Sequence, residues 1–180
     1  MEFRESRTYR NLLRVYEEEL MFSSRFALYG EIAQTDGYIT ISRLYNTLSG
    51  QDLEHARIWL RAIYEGTLPS TATNLIESAN AEYAIAGNQY QEYVQIAREE
   101  GFDHIAALFA GVANIDYNHA TLLQQQYDNV VSGQVFCKPE EIVWVCMQCG
   151  NIMSGLCAPE ICPVCGFPQG YYRPLNSCPY

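Results

Sequence analysis

The sequence predicts an all-α four-helix bundle followed by a small domain organised by four cysteines. Three observations predict it. Apolar side chains recur three and four apart through the first three quarters of the chain. Gly, Pro, Ser and Thr cluster at only a few points there. All seven cysteines lie after position 136, two pairs of them as Cys-x-x-Cys.

Residues 5–36 read as the first helix, with Leu12, Leu13, Tyr16, Leu20, Phe22 and Phe26 as its apolar set. Gly37 follows Asp36 and suits a helix C-terminus or tight turn. The second helix runs from about Tyr38 to Glu65 and carries Ile41, Leu44, Leu48, His55 and Trp59. GTLPSTAT, residues 66–73, is a connection, with Thr71 or Thr73 as the N-cap of the next helix. The third helix spans 74–100 and meets Gly101. The fourth spans about 102–132, and SGQVFCKPEE, residues 132–141, reads as a linker. Four helices of this length form an antiparallel bundle. The domains are therefore a bundle over 1–136 and a four-cysteine domain over 140–180.

The bundle contains a repeat. Residues 33–56 are echoed by residues 97–120 at an offset of 64. Each copy places an acid-Gly-aromatic turn between two helices. Each then places Asp-x-x-His past its glycine, at Asp52 with His55 and at Asp116 with His119. Residues i and i+3 share a helix face. Asp52 lies roughly 22 Å beyond the Gly37 turn, and Glu19 lies roughly 27 Å before it, at 1.5 Å per residue. Glu19 is 18 residues before its turn glycine and Glu82 is 19 before Gly101. Four carboxylates and two imidazoles thus fall at about one height, a donor set that suits a pair of iron or manganese ions. Phe26, Tyr29, Tyr83, Tyr90, Tyr93 and Tyr117 lie on the same helices, where aromatic packing is the ordinary role. A tyrosine beside a redox metal also donates a hydrogen bond or an electron.

Cys146 and Cys149 form one Cys-x-x-Cys, and Cys162 and Cys165 form the other, with twelve residues between the pairs. Gly150 and Gly166 each follow a pair, permitting the turn in which backbone N–H groups point at sulfur. Two such knuckles supply four thiolates to zinc or iron. So short a segment has little apolar core, which makes the metal a folding requirement. Trp144, Pro163, Tyr171 and Tyr172 give the sulfurs an apolar surround that suits a redox centre, although a zinc ribbon has the same cysteine spacing. Cys137, Cys157 and Cys178 fall outside the ligand set and are expected as free thiols, Cys178 exposed and oxidisable near the chain's end.

The formal net charge of −10, with Lys and Arg totalling only 11 and unclustered, excludes a nucleic-acid partner, since nothing would neutralise phosphates. The apolar runs are too short to span a bilayer. MEFRESRTYR has no apolar stretch of the kind a secretion signal needs, so the expected location is the cytoplasm.

Taken together, NLLRVYEEEL, the turns TDGY and EEGF, and the tail WVCMQCGNIMSGLCAPEICPVCGFPQGYY resemble the rubrerythrin family over nearly the whole chain. The resemblance implies a ferritin-like bundle with a di-iron or mixed di-metal site and a C-terminal rubredoxin-like domain with one iron, for which zinc is a substitute. It implies Glu19, Asp52, His55, Glu82, Asp116 and His119 as bundle ligands, and Tyr90 as a residue near them. Asp replaces the family's glutamate at positions 52 and 116. The family's second glutamate on the third helix, which exchanges with a histidine as iron changes redox state, is here Ile85, and a family tyrosine of the first helix is Phe26. The implied activity is reduction of hydrogen peroxide, with electrons passing from a reductase or rubredoxin-like protein through the four-cysteine iron. The implied assembly is a homodimer that brings the four-cysteine site of one chain near the bundle site of the other. The competing readings are an electron-transfer or metal-binding protein with a degenerate bundle site, and a zinc-stabilised structural or regulatory protein.

Overall fold

The structure, a computed structural model, describes residues 2–176. The elements run α1 (Arg7–Thr35), α2 (Ile39–Ile63), α3 (Thr71–Ala84), a π turn (Ile85–Gln89), α4 (Tyr90–Glu99), α5 (Asp103–Val131), β1 (Cys137–Cys146), β2 (Ile152–Cys157) and β3 (Tyr172–Pro174). They divide into two compact units, Met1–Pro69 and Ser70–Tyr180. Among the described residues, no helix is long and apolar enough to cross a membrane.

In the first unit α1 and α2 form a helical hairpin. Ser6 caps α1 by accepting a hydrogen bond from the Tyr9 N–H at 3.0 Å. The helix ends at Gly37, whose φ of +84° favours glycine. There the Tyr38 N–H reaches the Ala33 carbonyl at 2.8 Å and the Gly37 N–H reaches Gln34 at 3.1 Å. The second unit repeats this turn. Gly101 has a φ of +82°, and the Phe102 N–H reaches Ala97 at 2.7 Å. Every partner is shifted by the offset of 64.

The buried seam of each hairpin is built mostly from small residues, Ile63 excepted, and not from the larger apolar side chains the sequence singles out. Ser23, Gly30, Ala33, Ser42, Ala56 and Ile63 are buried in the first unit. Ala79, Ala86, Ala97, Ala106, Ala113 and Ala120 are buried in the second. Within α5 the three alanines stand seven apart, the repeat that keeps one face on a partner helix. Small side chains let the two backbones approach closely. A Cβ on Gly30 would meet Asn46 Oδ1 at 2.8 Å. Ser23 and Ser49 donate to each other's carbonyls at 2.9 and 2.8 Å, fixing the register of α1 on α2. Ile41, Leu44, Leu28 and Ile32 are left exposed on the first hairpin, and Leu108 and Ile115 on the second.

The third helix contains an irregularity that the sequence does not announce. At Ile85–Gln89 it widens into a π turn, with the Tyr90 N–H bonded to the Ile85 carbonyl. A π turn holds one residue more than the α-helix it interrupts. That extra residue accounts for Glu82 standing 19 before its glycine while Glu19 stands 18 before its own. The cap of this helix is Ser70, which accepts from the Thr73 N–H at 3.1 Å, rather than Thr71 or Thr73.

The stretch expected as a linker is half strand, because β1 already begins at Cys137. The sheet has the order β2-β1-β3, with both pairings antiparallel. Trp144, Cys146, Ala158, Cys162 and Tyr172 form its buried core, against which Phe136, Ile142 and Cys165 pack. The Trp144 indole N–H donates to the Gly155 carbonyl at 3.0 Å.

Candidate metal centres

The two cysteine knuckles are copies of one another. The Gly150 N–H bonds to the Cys146 carbonyl at 2.8 Å, and the Gly166 N–H bonds to Cys162 at 2.9 Å. Both glycines have positive φ, +77° and +73°. The turns bring the sulfurs of Cys146 and Cys165 to 3.8 Å and those of Cys149 and Cys162 to 3.7 Å. Four sulfurs each about 2.3 Å from one tetrahedral ion would stand about 3.8 Å apart. The donor set therefore fits a tetrathiolate metal.

Electrostatics points the same way. Burial raises the Cys162 thiol, but the Tyr172 hydroxyl and the Cys165 and Val164 N–H groups outweigh it and bring it down to about 6. Cys165 accepts from the Phe167 N–H, yet burial and the neighbouring sulfurs push it up to about 12. Without a cation the cluster favours the Cys162 thiolate and disfavours those of Cys149 and Cys165, since like charges this close disfavour each other. A metal cation removes that conflict. Cys146 and Cys162 are buried, Cys149 is exposed and Cys165 lies between. Trp144 and Tyr172 supply the expected apolar surround. Pro163 does not, being exposed, and Tyr171 is 42% exposed with its ring on Phe167.

Each hairpin carries one three-donor cluster. Glu19, Asp52 and His55 have one donor atom apiece within 4.8 Å of the others, and so do Glu82, Asp116 and His119. His55 Nδ1 lies 3.3 Å from Glu19 Oε2 and 3.7 Å from Asp52 Oδ1. His119 Nδ1 lies 3.8 Å from Asp116 Oδ1. Two donors about 2.1 Å from one ion and 120° apart stand about 3.6 Å apart, so each cluster fits a shared cation. Two carboxylates and an imidazole are a donor set for iron, manganese or zinc. The carboxylates are half-buried, whereas the two imidazoles are about half exposed.

These features match known protein families. The rubrerythrin family model matches residues 10–127, and the model for the rubrerythrin rubredoxin-like domain matches residues 144–173. The chain belongs to the rubrerythrin family. A rubrerythrin of Porphyromonas gingivalis is 31% identical over 96% of this chain and 92% of its own length. One from Nitratidesulfovibrio vulgaris is 31% identical over 95% of each. Among solved structures, mixed-valence nigerythrin is 22% identical, covering 94% of this chain and 86% of its own, with a TM-score of 0.36. Family membership carries the fold class, a ferritin-like helical bundle followed by a rubredoxin-like domain, and implies iron as the metal. It supports a role as an iron-dependent oxidoreductase.

The remaining sequence expectations divide. Ile85 opens the π turn and is 41% exposed. Tyr90 is half-buried, with its ring on Tyr93 and Phe109 at 6.5 and 5.9 Å. Phe26, Tyr29 and Tyr45 form the equivalent group on the first hairpin. Tyr83 meets Tyr117 edge-on at 4.8 Å. Cys137 and Cys157 are not free thiols. They are joined in a disulfide, because antiparallel pairing of β1 with β2 sets them directly opposite. Cys178 lies outside the described residues.

Proposed function

We propose that this chain is a rubrerythrin-type peroxidase that reduces hydrogen peroxide to water, with electrons entering through the four-cysteine centre. The observation that carries this reading is the pair of matching three-donor clusters, one on each hairpin, in a chain that also builds a tetrathiolate site. Glu19, Asp52 and His55 would hold one bundle ion, and Glu82, Asp116 and His119 the other. Cys146, Cys149, Cys162 and Cys165 would hold the third. Iron held by these two clusters, when reduced, would supply the two electrons that peroxide consumes. The protein's part is to fix the ions with carboxylates and to complete each set with an imidazole. The exposed Cys149 gives an external donor, a reductase or rubredoxin-like protein, an approach to the sulfur cage. Tyr90 is assigned as a hydrogen-bond donor near the bundle centre. The division into a bundle over 1–136 and a redox domain over 140–180 follows the same roles. The apolar residues exposed on both hairpins support a homodimer, and the cytoplasm is the proposed location.

A second reading is favoured by one observation. Ile85 offers no ligand where the family has a glutamate, and it sits in the π turn next to the Glu82 cluster. On that reading the bundle binds metal without turnover, and the chain is an electron carrier. Elemental analysis and absorption spectra of anaerobically prepared protein separate the two. Three irons per chain, with an iron–tetrathiolate spectrum that bleaches on reduction and returns with peroxide, are expected for the peroxidase. A single iron with no response to peroxide would rule it out.

A further inference from the structure

The six described cysteines fall into two chemically separate groups. Four face one another in the metal site, and Cys137 and Cys157 form a bridge between β1 and β2. The bridge lies at the surface, with Cys157 exposed and Cys137 half-buried. It is not what holds the two strands together. Residues Ile142–Val145 pair with Ile152–Gly155 without it. The Ala158 N–H bonds to the Phe136 carbonyl at 2.8 Å, and Trp144 bonds to Gly155. The side chains of Trp144, Ala158 and Tyr172 pack around the two buried ligand sulfurs. Opening the bridge would leave the two cysteines opposite each other, because the Phe136–Ala158 bond and the strand ladder flank them on either side.

We propose that Cys137 and Cys157 form a reversible dithiol–disulfide site that exchanges with external dithiol/disulfide couples, a second redox function independent of the bundle. The incoming thiolate attacks the sulfur of Cys157, the more exposed of the two residues, giving a mixed disulfide and releasing Cys137 as the leaving thiolate, which takes up a proton. The donor's second thiol then displaces Cys157. The bridge gains two electrons and two protons, and the donor leaves as its own disulfide. The reverse sequence restores the bridge. Its position gives the exchange a mechanical outcome. Cys137 is the first residue of β1, five residues beyond Ser132, where α5 has ended. Closing the bridge fastens the segment after α5 covalently to β2, and opening it leaves that segment held by hydrogen bonds and by the packing of Phe136 on the core.

The test uses the folded, iron-loaded full chain without denaturant. Dithiothreitol is added in excess, then its oxidised form, with thiol alkylation and peptide mass analysis at each stage. Labelling of both Cys137 and Cys157 should go from absent to complete and back, with the iron content per chain, measured by elemental analysis, unchanged throughout. A bridge that opens only in denaturant, or only as iron is lost, would overturn the proposal. The variant Cys137→Ser, exposed to glutathione disulfide, should trap glutathione on Cys157. Cys157→Ser should trap far less on the half-buried Cys137. Failure of folded Cys137→Ser to take up glutathione would also overturn it, and so would equal trapping at both positions.

Discussion

Glu19 and His55, 36 positions apart in the chain, meet across the first hairpin at 3.3 Å. No third helix is needed to bring them together. Each hairpin thus presents a partly assembled cluster, and the carboxylate of Asp52 or Asp116 completes it. Asp52→Ala or Asp116→Ala should abolish metal binding in the bundle while leaving the tetrathiolate absorbance intact. Metal analysis of each variant checks this. Peroxide turnover that survives either change would show the ligand assignment to be wrong.

The π turn predicts an asymmetry between the hairpins. Deleting Gly87 removes the extra residue and converts Ile85–Gln89 to ordinary helix, so Glu82 should keep facing Asp116 and His119. Deleting the exposed Leu28 from the regular helix α1 should instead rotate Glu19 by about 100° relative to α2. Bundle metal content should survive the first deletion and fall in the second. Equal loss in both would refute this account of the turn.

Ile85→Glu adds a carboxylate one turn after Glu82. Bundle metal affinity should rise, read by competition with a coloured chelator. An unchanged affinity would mean that a glutamate at this position does not reach the cluster.

Ala120 is fully buried at the seam between α5 and its neighbours. Ala120→Leu should destabilise the second unit by about 1–3 kcal/mol through overpacking. Urea unfolding followed by helical circular dichroism measures it. Gly111→Leu, at an exposed position of the same helix, should be close to neutral or stabilising, since a Cβ there meets open space.

Tyr172→Phe removes a hydroxyl that accepts from the Asn151 amide at 3.1 Å, donates to Met153 Sδ at 4.0 Å and lowers the Cys162 thiol. A polar group that favours the electron-rich form of the sulfur raises the potential of the metal it binds, so the reduction potential of the tetrathiolate iron should become more negative. In metal-free protein the Cys162 thiol should rise from about 6. Spectroelectrochemical titration reads the first effect, and a positive shift would contradict the role assigned to the hydroxyl.

Much of this architecture was legible in the sequence because its signals are local. Glycine at 37 and 101 marks a conformation that other residues resist, and the paired cysteines define their own knuckles. The Asp-x-x-His repeat was readable because helical geometry relates i to i+3 without any tertiary information. The seam is less legible, because two closely packed helices bury Ala, Gly and Ser and leave many of the larger Leu and Ile side chains exposed. The Cys137–Cys157 bridge was hidden for a different reason. It depends on the register of two strands, and half of the first strand lies in residues that resemble a linker. The difference between 18 and 19 was visible, but a count alone does not say where the helix takes up the additional residue.

That additional residue also gives the molecule a history. The two hairpins share turn geometry, seam positions and ligand pattern, as expected of descendants of one duplicated segment. The π turn belongs to one descendant only. The two copies therefore differ in length only within the third helix, which bulges without turning Glu82 away from Asp116 and His119. A one-residue change that a regular helix would pass on as a rotation of every side chain before it is taken up here within a single wide turn, beside the Glu82 carboxylate.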